Sequence, residues 1–364
     1  MSITKIVVTG GPCGGKTTAM SHVREVFSKM GYTVLLVPET ATQLIRGGVT
    51  PTTCRTNAEF QICLMRLQLE AERAFVRAAE GMAGDKKLIL CDRGALDNKA
   101  YMNDAEFAQV MKELGMNEVE LRDGYDAVFH LVTAANGAEE FYTVENNPAR
   151  TEDPAEARAL DGRVMSAWTG HPHLRIIDNS TDFHGKLDRL AAEIASFLGE
   201  PEPLEIERKF LIKYPDIKWL SSLPNCRRVE ISQTYLESPG GERFRIRQRG
   251  ADGGYVYFKT VKHRISDVKR IEIETRLSAE EYSELLRGDN KVKGQIVKDR
   301  YCLTYDGQYF EIDVFPFWDD RAILEIELLR EDAEIRFPEG LVIVKEVTDD
   351  SFYKNSSLAQ IFGK

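Results

Sequence analysis

The 364-residue sequence predicts two domains: an α/β domain with a doubly wound parallel sheet, and then an antiparallel β domain with a charged interior. Three observations predict this arrangement. Runs typical of buried strands alternate with helical runs in the first half, whereas residues beyond position 204 follow the two-residue period of strands. Between the halves lies GEPEP at 199–203, whose prolines bar helix continuation, as in a linker. We therefore place the domains at 1–199 and 204–364.

The composition is that of a globular protein. Hydrophobic residues make up 43% of the chain, and the net charge of −10 argues against broad nucleic-acid binding, so no nucleic-acid partner is expected. The six cysteines form no CxxC pair, which argues against a zinc site or a disulfide framework. The sequence shows no signal leader and no apolar run of roughly 20 residues, so we expect a cytoplasmic protein, with peripheral membrane contact left open.

A phosphate-binding loop follows the first predicted strand. Residues 3–9 form a continuous apolar, β-branched run, as expected for a strand buried on both faces. Residues 10–17, GGPCGGKT, fit the pattern GxxxxGK followed by Ser or Thr, and residues 18–30 have helical spacing. This motif binds phosphate when a strand precedes it and a helix follows it, so the sequence predicts a P-loop.

The chemistry of this loop predicts a nucleoside triphosphate ligand. Backbone N–H groups of a glycine-rich turn face phosphate oxygens, and the helix N-terminus adds positive potential. Lys16 would reach the outer phosphates, and the Thr17 hydroxyl would bind Mg²⁺. The Asn-Lys-x-Asp pattern of small GTPases is not completed after Asn98-Lys99, so ATP and GTP are both candidates. The predicted cradle consists of Gly11, Pro12, Cys13, Gly14, Gly15, Lys16, Thr17 and Thr18.

Two acidic residues and an arginine follow the next predicted strands. The apolar run at 33–37 ends before Glu39, and the run at 88–91 ends before Asp92-Arg93. Ligands of doubly wound sheets bind beyond the carboxyl ends of the strands, so these side chains are expected near the γ-phosphate and its acceptor. Asp92 would hold Mg²⁺ directly or through water, Glu39 would accept a proton from an acceptor hydroxyl, and Arg93 would neutralise the transferring phosphate. The alternative is a structural ion pair between Glu39 and Arg93.

The rest of the first half completes the α/β pattern. The polar segment 133–153 lies where P-loop folds that transfer phosphate often carry a lid with arginines, so Arg150 and Arg158 are candidate phosphate ligands. The further predicted elements are an amphipathic helix at 57–83, a strand at 127–132, a helix at 154–168, a strand at 174–177 and a helix at 183–198.

In the second half, charged residues occupy every second position of several predicted strands. Successive strand residues point to opposite faces, so Glu205, Glu207 and Lys209 in LEIERKF share one face. The same alternation occurs in Arg243, Arg245, Arg247 and Arg249, in Arg270, Glu272, Glu274 and Arg276, and in Glu325 and Glu327. A barrel with a charged interior explains this repetition; internal ion pairs and a solvated face are the alternatives. The predicted strands lie at 205–212, 226–237, 242–249, 255–261, 268–277, 292–305, 308–314 and 322–329.

The order of these residues resembles the CYTH, or triphosphate tunnel, family over 204–364. The matching residues are Glu205, Glu207, Lys209, Arg243, Arg245, Arg247, Lys259, Arg270, Glu272, Glu274, Lys298, Arg300, Asp313, Glu325, Glu327 and Lys345. The resemblance implies an antiparallel tunnel of eight strands, in which the basic residues bind an inorganic or organic triphosphate and the acidic ones bind Mg²⁺ or Mn²⁺. It also implies triphosphate hydrolysis, with Glu205, Glu207 and Lys209 as catalytic residues.

The first half resembles the NadR-like AAA P-loop domain, and Glu39 and Asp92-Arg93 look like the acid and the acid-arginine pair of deoxynucleoside kinases. The fusion of the two domains is similar to that in the TRPL translocation defect protein family. That resemblance implies binding of GTP and phosphoinositide head groups and a role in membrane-protein trafficking.

Two functional hypotheses follow. The first is a metal-dependent triphosphatase whose P-loop domain binds ATP or GTP, with possible small-molecule kinase activity. The second is a non-catalytic regulator that binds nucleotide and phosphoinositide. The acidic residues favour the enzyme, because a receptor for anions alone has little use for metal ligands.

Overall fold

The structure is a computed structural model that describes residues 2–138, 153–200, 206–238, 241, 243–264, 270–288, 291–292, 294–328 and 333–363. The side chains of residues 2, 206, 262–264 and 270–273 lie outside this description. The chain divides into two compact units, Met1–Ile194 and Ala195–Lys364.

The first unit contains a five-stranded sheet in the order β2-β3-β1-β4-β5, with every neighbouring pair parallel. Its strands are β1 (Ser2–Thr9), β2 (Thr33–Val37), β3 (Lys86–Asp92), β4 (Ala127–Leu131) and β5 (Leu174–Ile177). The apolar run in β1 explains its central place, since Ile6, Val7 and Val8 are fully buried between the neighbouring strands and the covering helices. The predicted doubly wound sheet is confirmed.

Helices connect these strands, as a parallel sheet requires. They are α1 (Lys16–Lys29), α2 (Thr40–Arg46), α3 (Asn57–Gly81), α4 (Asp104–Leu114), α5 (Glu118–Arg122), α6 (Pro154–Trp168) and α7 (Phe183–Leu198), with a 3₁₀ segment at Ala95–Tyr101. Capping residues define where helices begin. Helix α6, for example, begins with a proline that follows Asp153, and Asp153 forms a capping box with Glu156. The short helices α2, α4 and α5 were not predicted.

The second unit contains a nine-stranded antiparallel sheet in the order β10-β9-β8-β7-β11-β12-β13-β6-β14, with β10 and β14 as its outer strands in the described part of the chain. The predicted count of eight is therefore one too low, because β14 (Ile343–Glu346) adds to the edge of β6. The other strands are β6 (Ile206–Lys213), β7 (Cys226–Glu237), β8 (Arg243–Ala251), β9 (Gly254–Arg264), β10 (Arg270–Leu277), β11 (Ile296–Tyr305), β12 (Gln308–Val314) and β13 (Arg321–Leu328).

Helices pack against apolar side chains on both faces of this sheet. On one face, α8 (Ile217–Ser222) packs through Leu220 onto a core that includes Phe210, and α9 (Ala279–Arg287) packs through Tyr282 onto Ile246. On the other face, α10 (Asn355–Phe362) packs through Leu358 against Leu211, Ile296 and Ile323. Within the described residues, no helix combines the length and the apolarity that a bilayer span needs.

Candidate functional site

The loop between β1 and α1 has the backbone shape that its glycines allow. Gly10 has φ +143°, and a β-carbon there would lie 2.1 Å from the Leu131 carbonyl oxygen. Gly15 has φ +82° and caps the N-terminus of α1, which begins at Lys16. Residues with side chains rarely adopt these angles, so glycine is needed at both positions. The first N–H groups of α1 lack helical acceptors, so the loop and the helix together offer donors to an anion and form the candidate anion site.

Lys16 lies across the loop that precedes it. Its Nζ donates to the carbonyl oxygens of Gly10 at 3.0 Å and Gly11 at 3.1 Å. Burial, and then the positive charge of Arg93, lower the pKa of Lys16 to about 8. A phosphate in the loop would offset both effects, because an anion favours the charged amine.

The structure brings the three residues at the strand ends together beside this loop. Arg93 Nε donates to Glu39 Oε1 at 2.8 Å, and Arg93 Nη1 donates to the Gly10 carbonyl oxygen at 3.3 Å. Thr42 Oγ1 also donates to Glu39 Oε2 at 2.7 Å. Burial opposes ionisation of Glu39, but the charge and hydrogen bond of Arg93, the hydrogen bond of Thr42 and the charge of Lys16 together outweigh it, so the pKa of Glu39 lies below its usual value. Glu39 is therefore an ionised carboxylate, and the ion pair of the alternative interpretation is present in this structure.

Asp92 has the properties of a cation ligand. Its Oδ1 is buried and has no hydrogen-bond partner among the described residues. Burial raises the pKa of Asp92, and Lys16 only partly opposes this. A buried carboxylate oxygen without a partner suits a hard divalent cation, so the donor set of Asp92 and the Thr17 hydroxyl fits Mg²⁺.

Helix α6 holds the phosphate loop through a residue that the sequence did not indicate. The Gly11 N–H donates to Asp161 Oδ1 at 2.6 Å, and His130 Nε2 lies 3.1 Å from the same oxygen. Arg158, on the same helix, donates to the Ala135 carbonyl oxygen at 2.8 Å, while Arg150 lies outside the described residues. Sequence patterns could not reveal Asp161, because it follows its partner Gly11 by 150 positions.

In the second unit, the strand register places most of the predicted charged residues on one face. Residues directly opposite in antiparallel strands share a face, and β13 pairs with β6 so that Glu325 lies opposite Lys209 and Glu327 opposite Glu207. The pairing continues across the sheet to β10. We call this side the charged face; its described charged side chains include Glu207, Lys209, Arg243, Arg245, Arg247, Arg249, Glu274, Arg276, Lys298, Arg300, Glu311, Asp313, Glu325 and Glu327.

Arg300 is the centre of the charged face. Its Nε and Nη2 donate to the two oxygens of Asp313, each at 2.7 Å, and Nη2 also donates to Glu325 Oε2 at 2.7 Å. Arg300 pairs with Glu311 as well, and Lys298 pairs with Asp313. Although burial opposes it, the carboxylates raise the pKa of Arg300. Asp313 is fully buried and Glu325 is 5% exposed, so the sheet encloses this network.

The network opens toward Glu207 and Glu327. Lys209 Nζ lies 2.5 Å from Glu325 Oε1 and 3.0 Å from Glu207 Oε2. Partial burial, and then the nearby carboxylate of Glu325, raise the pKa of Glu207 to about 7. Crowded carboxylates suit a divalent cation, so the donor chemistry of Glu207, Glu325 and Glu327 fits Mg²⁺ or Mn²⁺. Among the described side chains, however, no three acidic, histidine or cysteine groups already converge as a metal site.

The arginines of β8 lie on the part of the charged face nearer to the β10 edge of the sheet. Arg247 Nη2 donates to Glu274 Oε2 at 2.6 Å, and Thr260 Oγ1 donates to the same oxygen at 3.0 Å. Arg247 Nε is buried without an acceptor among the described residues, so it offers a donor to an anion. Arg243, at the end of the strand, is 78% exposed and pairs with Glu237 at 2.9 Å.

Lys259 does not belong to the charged face, so its predicted role in binding triphosphate is wrong. It lies opposite Ile246, and its Nζ is 4.4 Å from the Phe244 ring centroid, on the face that α9 covers. Thr260 lies opposite Arg245 instead. Successive residues of a strand face opposite sides of the sheet. Lys262, the other lysine of YFKTVK, therefore belongs by register to the side of the charged face, where it lies opposite Glu272.

Of the remaining predicted residues of this domain, Lys345 alone has a described side chain. Lys345 is exposed at the edge strand β14, with Nζ 5.6 Å from the Tyr353 ring centroid. Glu205 lies outside the described residues, and for Arg270 and Glu272 the structure describes only the backbone. Glu311 was not predicted, although it shares the two-residue period of Asp313. Asn355 was not predicted either; its Oδ1 accepts from Lys298 Nζ at 3.3 Å.

Comparisons with known proteins agree with both halves of this description. Residues 5–186 match the AAA domain family, and residues 203–345 match the CYTH domain family. An inorganic triphosphatase from Nitrosomonas europaea is 33% identical over 159 residues, which cover 43% of this chain and 96% of that protein. The chain is also similar to an inorganic triphosphatase of known crystal structure, with 32% sequence identity. That match covers 43% of this chain and 95% of the solved chain, with a TM-score of 0.31. The resemblance to the TRPL translocation defect protein family stays a prediction. The chain belongs to the AAA domain family in its first half and to the CYTH domain family in its second.

Proposed function

We propose that the second domain hydrolyses an inorganic or organic triphosphate with a divalent metal ion, and that the first domain binds ATP or GTP with Mg²⁺. The charged face is the observation that carries the first part. It gathers lysines and arginines of several strands, with carboxylates between them, on one face of the sheet. The similarity to an inorganic triphosphatase over this whole domain supports the same substrate class.

The cations of the charged face match the charge of a triphosphate. Such a ligand carries about four negative charges and needs several fixed donors, of which arginine gives planar contacts to two oxygens. In this structure Lys209 and Arg300 hydrogen-bond to carboxylates. Bound phosphate oxygens would replace some of those acceptors and so release oxygens of Glu207 and Glu325. When bound, Mg²⁺ or Mn²⁺ would supply Lewis acidity and a water with a lowered pKa, held by Glu207, Glu325 and Glu327.

Replacement of Glu207 by glutamine tests this site. We expect metal-dependent phosphate release from tripolyphosphate to fall by at least about 10-fold. A loss of this size is typical even when the replaced residue only hydrogen-bonds to a ligand of the metal ion. The matched control is Arg208→Gln, because Arg208 lies on the opposite face of the same strand and pairs with Glu346 at 2.6 Å at the surface. Phosphate release is measured with Mg²⁺ or Mn²⁺ present and after chelation. A wild-type chain that releases no phosphate in a metal-dependent way would exclude the triphosphatase.

The same cations would also accept the phosphates of a phosphoinositide head group, which is the ligand of the regulator hypothesis. Glu207 and Glu327 favour the triphosphatase, because negative charge weakens an anion receptor unless a metal ion binds beside it. Vesicles with and without phosphoinositide distinguish the two. Metal-independent binding to the phosphoinositide vesicles, without phosphate release from tripolyphosphate, would favour the regulator.

For the first domain, we propose that Glu39 is the general base of a kinase-like phosphoryl transfer. Its ionised carboxylate lies beside Arg93 and the phosphate loop, where an acceptor hydroxyl would approach the γ-phosphate. We expect Glu39→Gln to keep nucleotide affinity within about threefold and to reduce transfer by at least about 100-fold, the contribution typical of general base catalysis.

The measurement is transfer of labelled γ-phosphate from ATP or GTP to a panel of nucleosides and other small alcohols. Glu25→Gln is the control, since Glu25 pairs with Lys29 on the exposed side of α1. Persistent transfer in Glu39→Gln would place the base elsewhere, and no transfer by the wild-type chain to any acceptor would remove the kinase activity from the proposal.

A further inference from the structure

The side chain of Phe183 lies against the phosphate loop. Phe183 is the first residue of α7, which follows β5, so it lies at the carboxyl edge of the parallel sheet. A β-carbon on Gly15 would lie 2.5 Å from Cε2 and 3.0 Å from Cζ of the ring. The ring edge is therefore in van der Waals contact with the residue that precedes Lys16.

The rest of this ring is open. Phe183 is 45% exposed, although it precedes Leu187 by four positions and so continues the apolar stripe of α7. The later members of that stripe, Leu187, Leu190, Ala191 and Ile194, are buried. Phe183 extends past them over the loop, so its exposed surface borders the anion site.

We propose that Phe183 is the stacking platform for the base of the nucleoside triphosphate whose phosphates occupy the loop. The inference rests on the proposed binding of nucleotide by the first domain. Ligands of doubly wound sheets lie beyond the carboxyl ends of the strands, and an aromatic ring there offers its face to any base. Stacking depends on the area of the base, so purine nucleotides bind more tightly than pyrimidine nucleotides. This contact does not separate ATP from GTP.

The test measures binding of labelled ATP to the full chain, with the Lys16→Ala chain supplying the background bound elsewhere. Phe183→Ala is expected to weaken the Lys16-dependent binding of ATP and GTP by about 10-fold or more, the usual effect of removing one stacked base. Phe183→Trp is expected to bind ATP with an affinity within about threefold of wild type, because the larger aromatic ring can still stack on the base. Met82→Ala, which removes another exposed apolar side chain from the same domain, leaves affinity unchanged.

Competition by tripolyphosphate separates stacking from simple packing of the loop. These measurements use chains that also carry Glu207→Gln, which slows the proposed hydrolysis of tripolyphosphate by the second domain. Tripolyphosphate has no base, so its dissociation constant for the Lys16-dependent site, obtained from its displacement of labelled ATP, is expected to be the same with Phe183→Ala as with Phe183 present. Equal ATP affinity in wild type and Phe183→Ala would overturn the inference, as would a parallel loss of tripolyphosphate affinity. Absence of any Lys16-dependent ATP or GTP binding in the wild-type chain would instead overturn the proposed nucleotide function, and the inference with it.

Discussion

Replacing Lys16 by alanine is expected to reduce ATP and GTP binding by the first domain by about 100-fold, which corresponds to about 3 kcal/mol. The reason is geometric. Lys16 Nζ lies across the loop at hydrogen-bond distance from two loop carbonyl oxygens, in a partly buried position where a phosphate would add the opposite charge. Alanine removes the charge that reaches the outer phosphates and leaves only the backbone N–H groups to bind them.

Equilibrium binding of labelled nucleotide measures this effect, and phosphate release from tripolyphosphate is followed in the same samples. The matched control is Lys29→Ala, because Lys29 lies in the last turn of the same helix and is 73% exposed. We expect tripolyphosphate hydrolysis to continue in Lys16→Ala, since that activity is assigned to the other domain. Unchanged affinity for both nucleotides would refute the phosphate role of the loop.

Replacing Arg300 by methionine is expected to destabilise the second domain by about 3–5 kcal/mol and to abolish its hydrolysis of tripolyphosphate. Arg300 hydrogen-bonds to Asp313 and Glu325, which are almost completely buried. Methionine has a similar volume but no charge, so the variant leaves buried carboxylates without their main partner. The cost of an uncompensated buried charge is much larger than the net contribution of a typical salt bridge.

Thermal unfolding measures this loss, and we expect the transition of the second domain to fall by about 10 °C. Arg228→Met is the control, because Arg228 pairs with Asp299 at 2.9 Å on an exposed part of the same sheet. It should cost no more than about 1 kcal/mol. Equal destabilisation by the two substitutions would show that the charged face is not the enclosed network that the contacts indicate.

Local patterns predicted the elements of the site that depend on neighbouring residues in the chain. The phosphate loop is one continuous motif, and its strand, glycines and helix appear where the motif requires them. Glu39 and Asp92-Arg93 follow strands whose carboxyl ends must meet at one edge of a parallel sheet, so their approach to the loop was also predictable. Asp161 and Phe183 were not, because each contacts the loop from an element far along the chain, with no local pattern to mark it.

The charged face shows a different limit of sequence patterns. Alternation in a strand separates its residues into two sets, but it does not say which set faces inward. In YFKTVK the lysines at 259 and 262 are an odd number of positions apart, so they belong to opposite sets. The register with β8 decides between them, and it places Lys259 with Ile246 on the face that α9 covers. Strand β14 was missed for a related reason: it has four residues and is defined by pairing with the distant strand β6.

The order of residues alone determined that this protein has a parallel α/β domain with a phosphate loop and then an antiparallel domain with charged strands, because those features repeat with the local periods of helix and strand. Only the tertiary structure decided which charges meet. Arg300 reaches carboxylates on two other strands, and Asp161 holds Gly11 across the first domain, because strand register and helix packing, not distance along the chain, set these contacts.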